Sequence, residues 1–188
     1  MNNISVGKKT KMIGLATIFL LLLFTTSICF AENGVTSSSI VLATHQPISG
    51  PAKEYSAIAK SALAYFKYVN DQGGIHGRFI DLKIIDDQLK PEIAAQSMTE
   101  LTVKNDIFAV FSGIGDNTHQ AVYPLLKQQR IPSFFVGSDL PEWTQPVRTN
   151  VFGFMPNADT EARVIGKYLT ENHAGAELII WYAEKPVY

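Results

Sequence analysis

The chain has 188 residues, 46% apolar and 18% charged, with 11 Phe, 7 Tyr and 2 Trp. That suits one packed domain, or one and part of another, and excludes a disordered tail or a coiled coil. Formal net charge is −1, and Lys or Arg collects nowhere beyond the first eleven residues, which argues against a nucleic-acid binder. The single cysteine, Cys29, excludes a disulfide framework and any Cys-based zinc site.

Lys8, Lys9 and Lys11 form a positive start, and Met12 to Phe30 follows without a charge. The dense apolar centre, Ile13 to Phe24, gives way to Thr25-Thr26-Ser27, and Cys29-Phe30-Ala31 offers small residues for a cut after Ala31. This layout predicts a secretory signal peptide over 1–31, with a membrane anchor as the alternative. Without those residues the chain carries no cysteine and a net charge of −4. An exported, thiol-free protein suits an oxidising compartment, and the expected location is the bacterial periplasm.

The remainder predicts alternating strands and helices. Ser39 to Thr44 is a short β-branched strand, and His45 to Pro51 carries the Pro and Gly of a turn. Ile58, Ala62, Tyr65, Phe66 and Val69 recur at helical spacing, and Gln72-Gly73-Gly74 ends that helix. Phe79 to Ile85 is a second strand. Pro91 opens a helix with Ile93, Ala94, Met98, Leu101 and Val103 on its apolar face. A third strand at Ile107 to Phe111 leads through Gly113 to Thr118 into a helix bearing Ala121, Val122, Leu125 and Leu126. Further strands are expected at Pro132 to Val136, Val151 to Phe154 and Leu178 to Trp181, with a helix around Glu161 to Glu171. Repeated β-α-β with apolar strands predicts an α/β fold: a parallel sheet with helices on both faces.

In such sheets ligands sit outside the carboxyl ends of the strands. Three loops fit that place: His45–Pro51, Ser112–Thr118 and Gly137–Leu140. They supply small and polar candidates, including the hydroxyls of Thr118 and Ser138 and the carboxylates of Asp116 and Asp139. A helix starting near Asn117 would aim free N–H groups at an anion; the plainer reading is that Asp116, Asn117 or Thr118 caps that helix. Gly113-x-Gly115-x-x-Thr118, with Asp139 24 residues after Gly115, imitates a dinucleotide fingerprint, but the third Gly is missing and the motif lies on the third strand. The four histidines, 45, 76, 119 and 173, lie far apart with no metal spacing, and Asp86-Asp87 reads as a solvated turn. No nucleophile has a base beside it in sequence, so binding is favoured over catalysis, and neither cofactor nor metal is expected.

From Ile40 to Tyr188 the chain resembles the type I periplasmic binding proteins of ABC importers, in the branched-chain amino acid group. The resembling residues are Ser49-Gly50-Pro51, Val69 to Arg78, Asp86-Asp87 with Pro91 and Ala94-Ala95, and Arg130-Ile131-Pro132. Gly113 to Thr118, Phe134 to Ser138 and Trp143 look closest to a subgroup with poorly defined ligands, aromatic acids among the candidates. The resemblance implies a flavodoxin-like lobe of a two-lobed clamshell, in which a small ligand, an amino acid or related carboxylate, is held and passed to an ABC permease in the inner membrane. Its ligand residues carry over as Gly115, Asp116, Asn117, Thr118, Gly137 and Ser138, and Ser49 of the first loop and Asp139 of the third complete the candidate ligand-binding set. Where many members have Ser in the loop after the third strand, this sequence has Gly115 and then Asp116, whose charge would repel a ligand carboxylate. The implied organisation is a signal peptide at 1–31, a first lobe at 32–155 and the start of a truncated second lobe at 156–188. In that incomplete lobe Ile165, Leu169, Ile179, Ile180 and Trp181 would lack cover. A periplasmic sensory domain of the same fold, and an exported flavodoxin-like enzyme using Asp116 or Asp139, are the alternative functions.

Overall fold

A computed structural model describes residues 32–104 and 106–182, so the expected signal peptide lies outside the described residues. Strands Ser39–Gln46 (β1), Phe79–Asp86 (β2), Ala109–Phe111 (β3), Ser133–Val136 (β4) and Val151–Gly153 (β5) form one sheet in the order β2-β1-β3-β4-β5. Every pairing is parallel. Helices span Ser56–Asp71 (α1), Pro91–Lys104 (α2), Asp116–Gln129 (α3) and Ala158–Asn172 (α4). The strand order reverses between β1 and β3, the switch point of a doubly wound sheet.

Side chains alternate across β1, and their partners show that both faces are covered. His45 bonds His119 of α3, whereas Gln46 accepts the Ala59 N–H of α1 at 2.9 Å. Gln46 thereby satisfies an amide in the first turn of α1, where helical N–H groups lack an intrahelical acceptor. The main core lies under α2 and α3 and joins Ala43, Ile85 and Val110 of the strands to Ala94, Met98, Val122 and Leu126 of the helices. A second cluster of Val136, Trp143 and Val151, with Tyr123 and Leu140, closes the β5 side. At the edge strand β2, the Asn70 side chain bonds both the N–H and the C=O of Ile80 at 2.8 Å, tying the end of α1 to the strand.

Three expectations need correction. Residues 178–181 form no strand: among the described residues nothing pairs with them, and Ile179 and Trp181 are 97% and 98% exposed. A strand exists through its ladder partners, so its apolar sequence does not suffice. The face of α1 toward the sheet runs through Ala59, with Ala62, Phe66 and Val69 half-buried, while Ile58 and Tyr65 are exposed. Helix α4 leaves Ile165 exposed as expected, but Leu169 is half-buried.

Met98 is fully buried between sheet and helices, whereas Val103 on the same helix is 80% exposed. Met98→Ala is therefore expected to cost about 2–5 kcal/mol in urea unfolding, and Val103→Ala no more than about 0.5 kcal/mol.

Candidate ligand-binding site

The loops after β3 and β4 are held as an extra rung of sheet. Gly137 donates its N–H to the Gly113 carbonyl at 2.8 Å, and Gly115 donates its own to the Gly137 carbonyl at 3.2 Å. Ser112 donates to the Phe134 carbonyl at 2.8 Å, and its carbonyl accepts from Gln46 Nε2 at 3.0 Å and Thr44 Oγ1 at 3.3 Å. Gly115 has φ of +98°, and a Cβ there would lie 2.5 Å from Thr118 Oγ1 and 2.7 Å from Leu89 Cδ1, so this turn excludes other residues. A bulge at Phe135, between the pairs Phe134–Phe152 and Val136–Gly153, interrupts the regular ladder at the end of β4.

Above this rung opens a cleft of about 460 Å³, lined on its apolar side by Tyr55, Ile58, Leu89, Ile114, Phe154 and Met155. Its polar side carries Ser112, Gly115, Asp116, Asn117, Thr118, Gly137, Ser138 and Asp139. Seven of the eight expected site residues thus come together; Ser49 is the exception. Its amide and hydroxyl both bond the Asp86 carboxylate, which also accepts the amides of Ile48 at 3.0 Å and Gln88 at 3.2 Å. Burial pushes the Asp86 pKa up, but the bonds from Ser49, Gln88 and Ile48 outweigh it and hold the carboxyl below its ordinary value.

The polar residues divide by what they already do. Thr118 is buried and its hydroxyl donates back to the Ile114 carbonyl at 2.6 Å, while the helix start at Gly115 has no side-chain cap, so the expected capping by Asp116, Asn117 or Thr118 is not what this bond does. Ser138 donates to Asp116 and accepts Trp143 Nε1–H at 2.8 Å and the Leu140 amide at 3.3 Å. The Asp139 carboxylate and the exposed Asn117 amide have no side-chain partner among the described residues and face the cleft. The first-turn amides of α3, Asp116 to Thr118, lack intrahelical acceptors. Among the described residues no Lys, Arg or His lines the cleft, to which Asp116 and Asp139 bring two carboxylates.

Beneath the loops lies a network that sequence reasoning missed. His45, expected in a turn, is the seventh residue of β1, and Asp87, expected in solvent, is fully buried against it. Asp87 Oδ2 meets His45 Nδ1 at 3.1 Å, His45 Nε2 meets His119 Nδ1 at 3.0 Å, and His119 Nε2 meets Ser133 Oγ at 3.2 Å. A Cβ on Gly113 would lie 2.3 Å from His45 Nε2, so the relay explains the glycine that opens the loop. Burial first, then the charges of His45 and Arg148, hold the His119 pKa well below its ordinary value. Of the lining residues, Tyr55, Leu89, Phe154 and Met155 were also missed. Leu89 sits beyond the carboxyl end of β2, and Phe154 and Met155 beyond that of β5, so all three had a positional signal.

The fold and cleft define a flavodoxin-like α/β lobe with an open pocket at its switch point. A profile described as periplasmic binding protein matches residues 39–187, and the chain belongs to that family. Among its relatives is Leu/Ile/Val-binding protein homolog 1 of Brucella abortus, 24% identical over 157 residues, spanning 83% of this chain and 42% of that protein. A possible leucine/isoleucine/valine-binding protein from Rhodopirellula baltica superposes with a TM-score of 0.66 at 18% identity, over 77% of this chain and 38% of that one. A fatty acid ABC transporter substrate-binding protein from Thermomonospora curvata gives 0.65 at 20% identity, over 74% and 35%. The chain therefore spans less than half the length of these relatives, and its lobe is that of the type I periplasmic binding proteins, as the sequence resemblance implied.

The unfolded chain takes a proton on His119 near pH 6.5, while the folded chain resists it. Stability from this group is therefore present above about pH 6.5 and lost on acidification, at no more than about 1.4 kcal/mol per pH unit. Urea midpoints measured from about pH 7.5 to about pH 5.5 should fall in the parent and fall less in His119→Gln.

Proposed function

We propose that this chain forms the first ligand-binding lobe of a periplasmic solute-binding protein that delivers an amino acid or related small carboxylate to an ABC permease. The observation that carries this reading is the two-sided cleft at the switch point. An apolar wall of Ile58, Leu89, Ile114, Phe154 and Met155 faces an edge bearing Asn117, Asp139 and the first-turn amides of α3. An apolar amino acid fits both sides: its side chain against the wall, its carboxylate at the amides, its ammonium at Asp139. Asp116 already carries the Ser138 hydroxyl, which leaves Asp139 as the acid that selects for a cation. Membership of a substrate-binding family supports binding over turnover, and so does the burial of Ser133, whose hydroxyl meets His119 out of reach of any solute.

In this reading 1–31 directs export to the periplasm, 32–155 is the lobe, and 156–188 opens a second one. Support for the last division comes from α4, which buries no residue, and from Leu178 to Tyr182, which stand exposed. A single lobe touches one side of a ligand, so affinity in the micromolar to millimolar range, about −8 to −4 kcal/mol, is expected. The test is calorimetric titration of the full chain with leucine, isoleucine, phenylalanine, benzoate and a short fatty acid. The apolar amino acids should bind, and Asp139→Asn should weaken them about tenfold while sparing benzoate. Silence from the whole panel, or benzoate binding in preference to the amino acids, would overturn the reading; nanomolar affinity would contradict the need for a second jaw.

A further inference from the structure

The buried relay does not end at Ser133. His119 also packs edge-on against Trp143, with ring centroids 4.9 Å apart at 79°. Trp143 is 3% exposed, and Tyr123 at 5.6 Å and the Arg148 guanidinium at 5.2 Å hold its other sides. Arg148 is in turn fixed by the Glu142 carbonyl, 2.6 Å from its Nε, and by the Glu142 carboxylate at 3.7 Å. The indole of Trp143 donates to Ser138 Oγ at 2.8 Å, and Ser138 donates to the Asp116 carboxylate at the cleft. A continuous path of contacts thus runs from Asp87 in the core to a carboxylate lining the cleft.

We propose that His119 is a positioning residue for the cleft: through Trp143 it fixes the Ser138 hydroxyl and, with it, the Asp116 carboxylate. The proton inventory supports this. The Asp87 carboxylate accepts, so His45 Nδ1 carries hydrogen, and a single hydrogen occupies the gap between His45 Nε2 and His119 Nδ1. The Ser133 hydroxyl can donate to or accept from His119 Nε2 and completes either arrangement. Every buried polar atom of the relay is thereby satisfied, and the His119 ring has one orientation that meets both partners. Any side chain that does not span His45 and Ser133 together releases the ring plane on which Trp143 rests. The charged and titratable groups facing this path are Asp87, His45, Tyr123, Glu142, Arg148 and Asp116.

The inference rests on the cleft being the binding site, but its test uses no ligand, so failure of one reading leaves the other standing. In a full-length Trp181→Phe background, Trp143 is the remaining tryptophan of two. Amide exchange and Trp143 emission are compared between this parent, His119→Gln and Ser133→Ala. His119→Gln should alter the emission and speed exchange at 137–143 by about tenfold, the equivalent of one lost buried hydrogen bond, while 79–86 exchanges as in the parent. Ser133→Ala keeps the ring and removes its outer bond, so it should loosen the same segment by about threefold and serves if His119→Gln does not fold. Trp143→Phe, followed by histidine ring ¹⁵N shifts, should loosen 137–143 and leave the His45 and His119 tautomers as they were. Parent-like exchange at 137–143 in both relay variants, or faster exchange spread evenly over the sheet, would overturn the proposal.

Discussion

Asp87 is a fully buried carboxylate that meets the His45 ring, and its hydrogen bonds decide much of the architecture. An unpaired charge in a protein interior is costly, so its acceptor sites must be filled. The Leu89 amide fills one at 2.8 Å and His45 Nδ1 another at 3.1 Å. His45 then needs His119, and His119 needs Ser133. Four segments, β1, the turn after β2, α3 and β4, are thereby fixed by one chain of hydrogen bonds. Apolar packing around Met98, Val122 and Leu126 supplies the larger share of stability, but it is indifferent to small shifts of register. Directional bonds are not, and the cleft loops grow from the ends of these same elements.

That arrangement separates support from recognition among residues that look alike in sequence. Ser138 and Asp116 are committed to each other across two loops, Thr118 to its own loop, and Ser49 and Asp86 to each other. Asp139, Asn117 and the first-turn amides of α3 remain to meet a ligand. The positive end of α3 is partly offset by Asp116 in its own first turn, so a bound anion gains less there than at an uncompensated helix. A zwitterion with an apolar body answers this pattern better than a plain carboxylate.

The order of elements was legible because it rests on local signals. Pro91 starts α2, and buried runs such as Ala109-Val110-Phe111 make strands. The loops that line the cleft were legible from position alone, since the carboxyl edge of a doubly wound sheet follows from the β-α-β alternation. The relay was not. His45 and His119 are 74 residues apart, and only the parallel pairing of β1 with β3 brings β1 under α3. Asp86 and Asp87 are chemically identical in sequence; one turn later the first holds a loop and the second lies in the core. Residues 178–181 misled because apolar β-branched composition reports burial in a sheet, and among the described residues no strand pairs with them to provide it.

The central claim is that the cleft over the Gly113–Gly137 rung is where this lobe meets its ligand. Backbone amide shifts of the full chain, followed by NMR while isoleucine is added to millimolar concentration, test it most directly. The account predicts perturbations clustered at 112–118, 137–139 and 154–155, with the helix face of α2 unmoved. Perturbations centred elsewhere, or none at all, would contradict it.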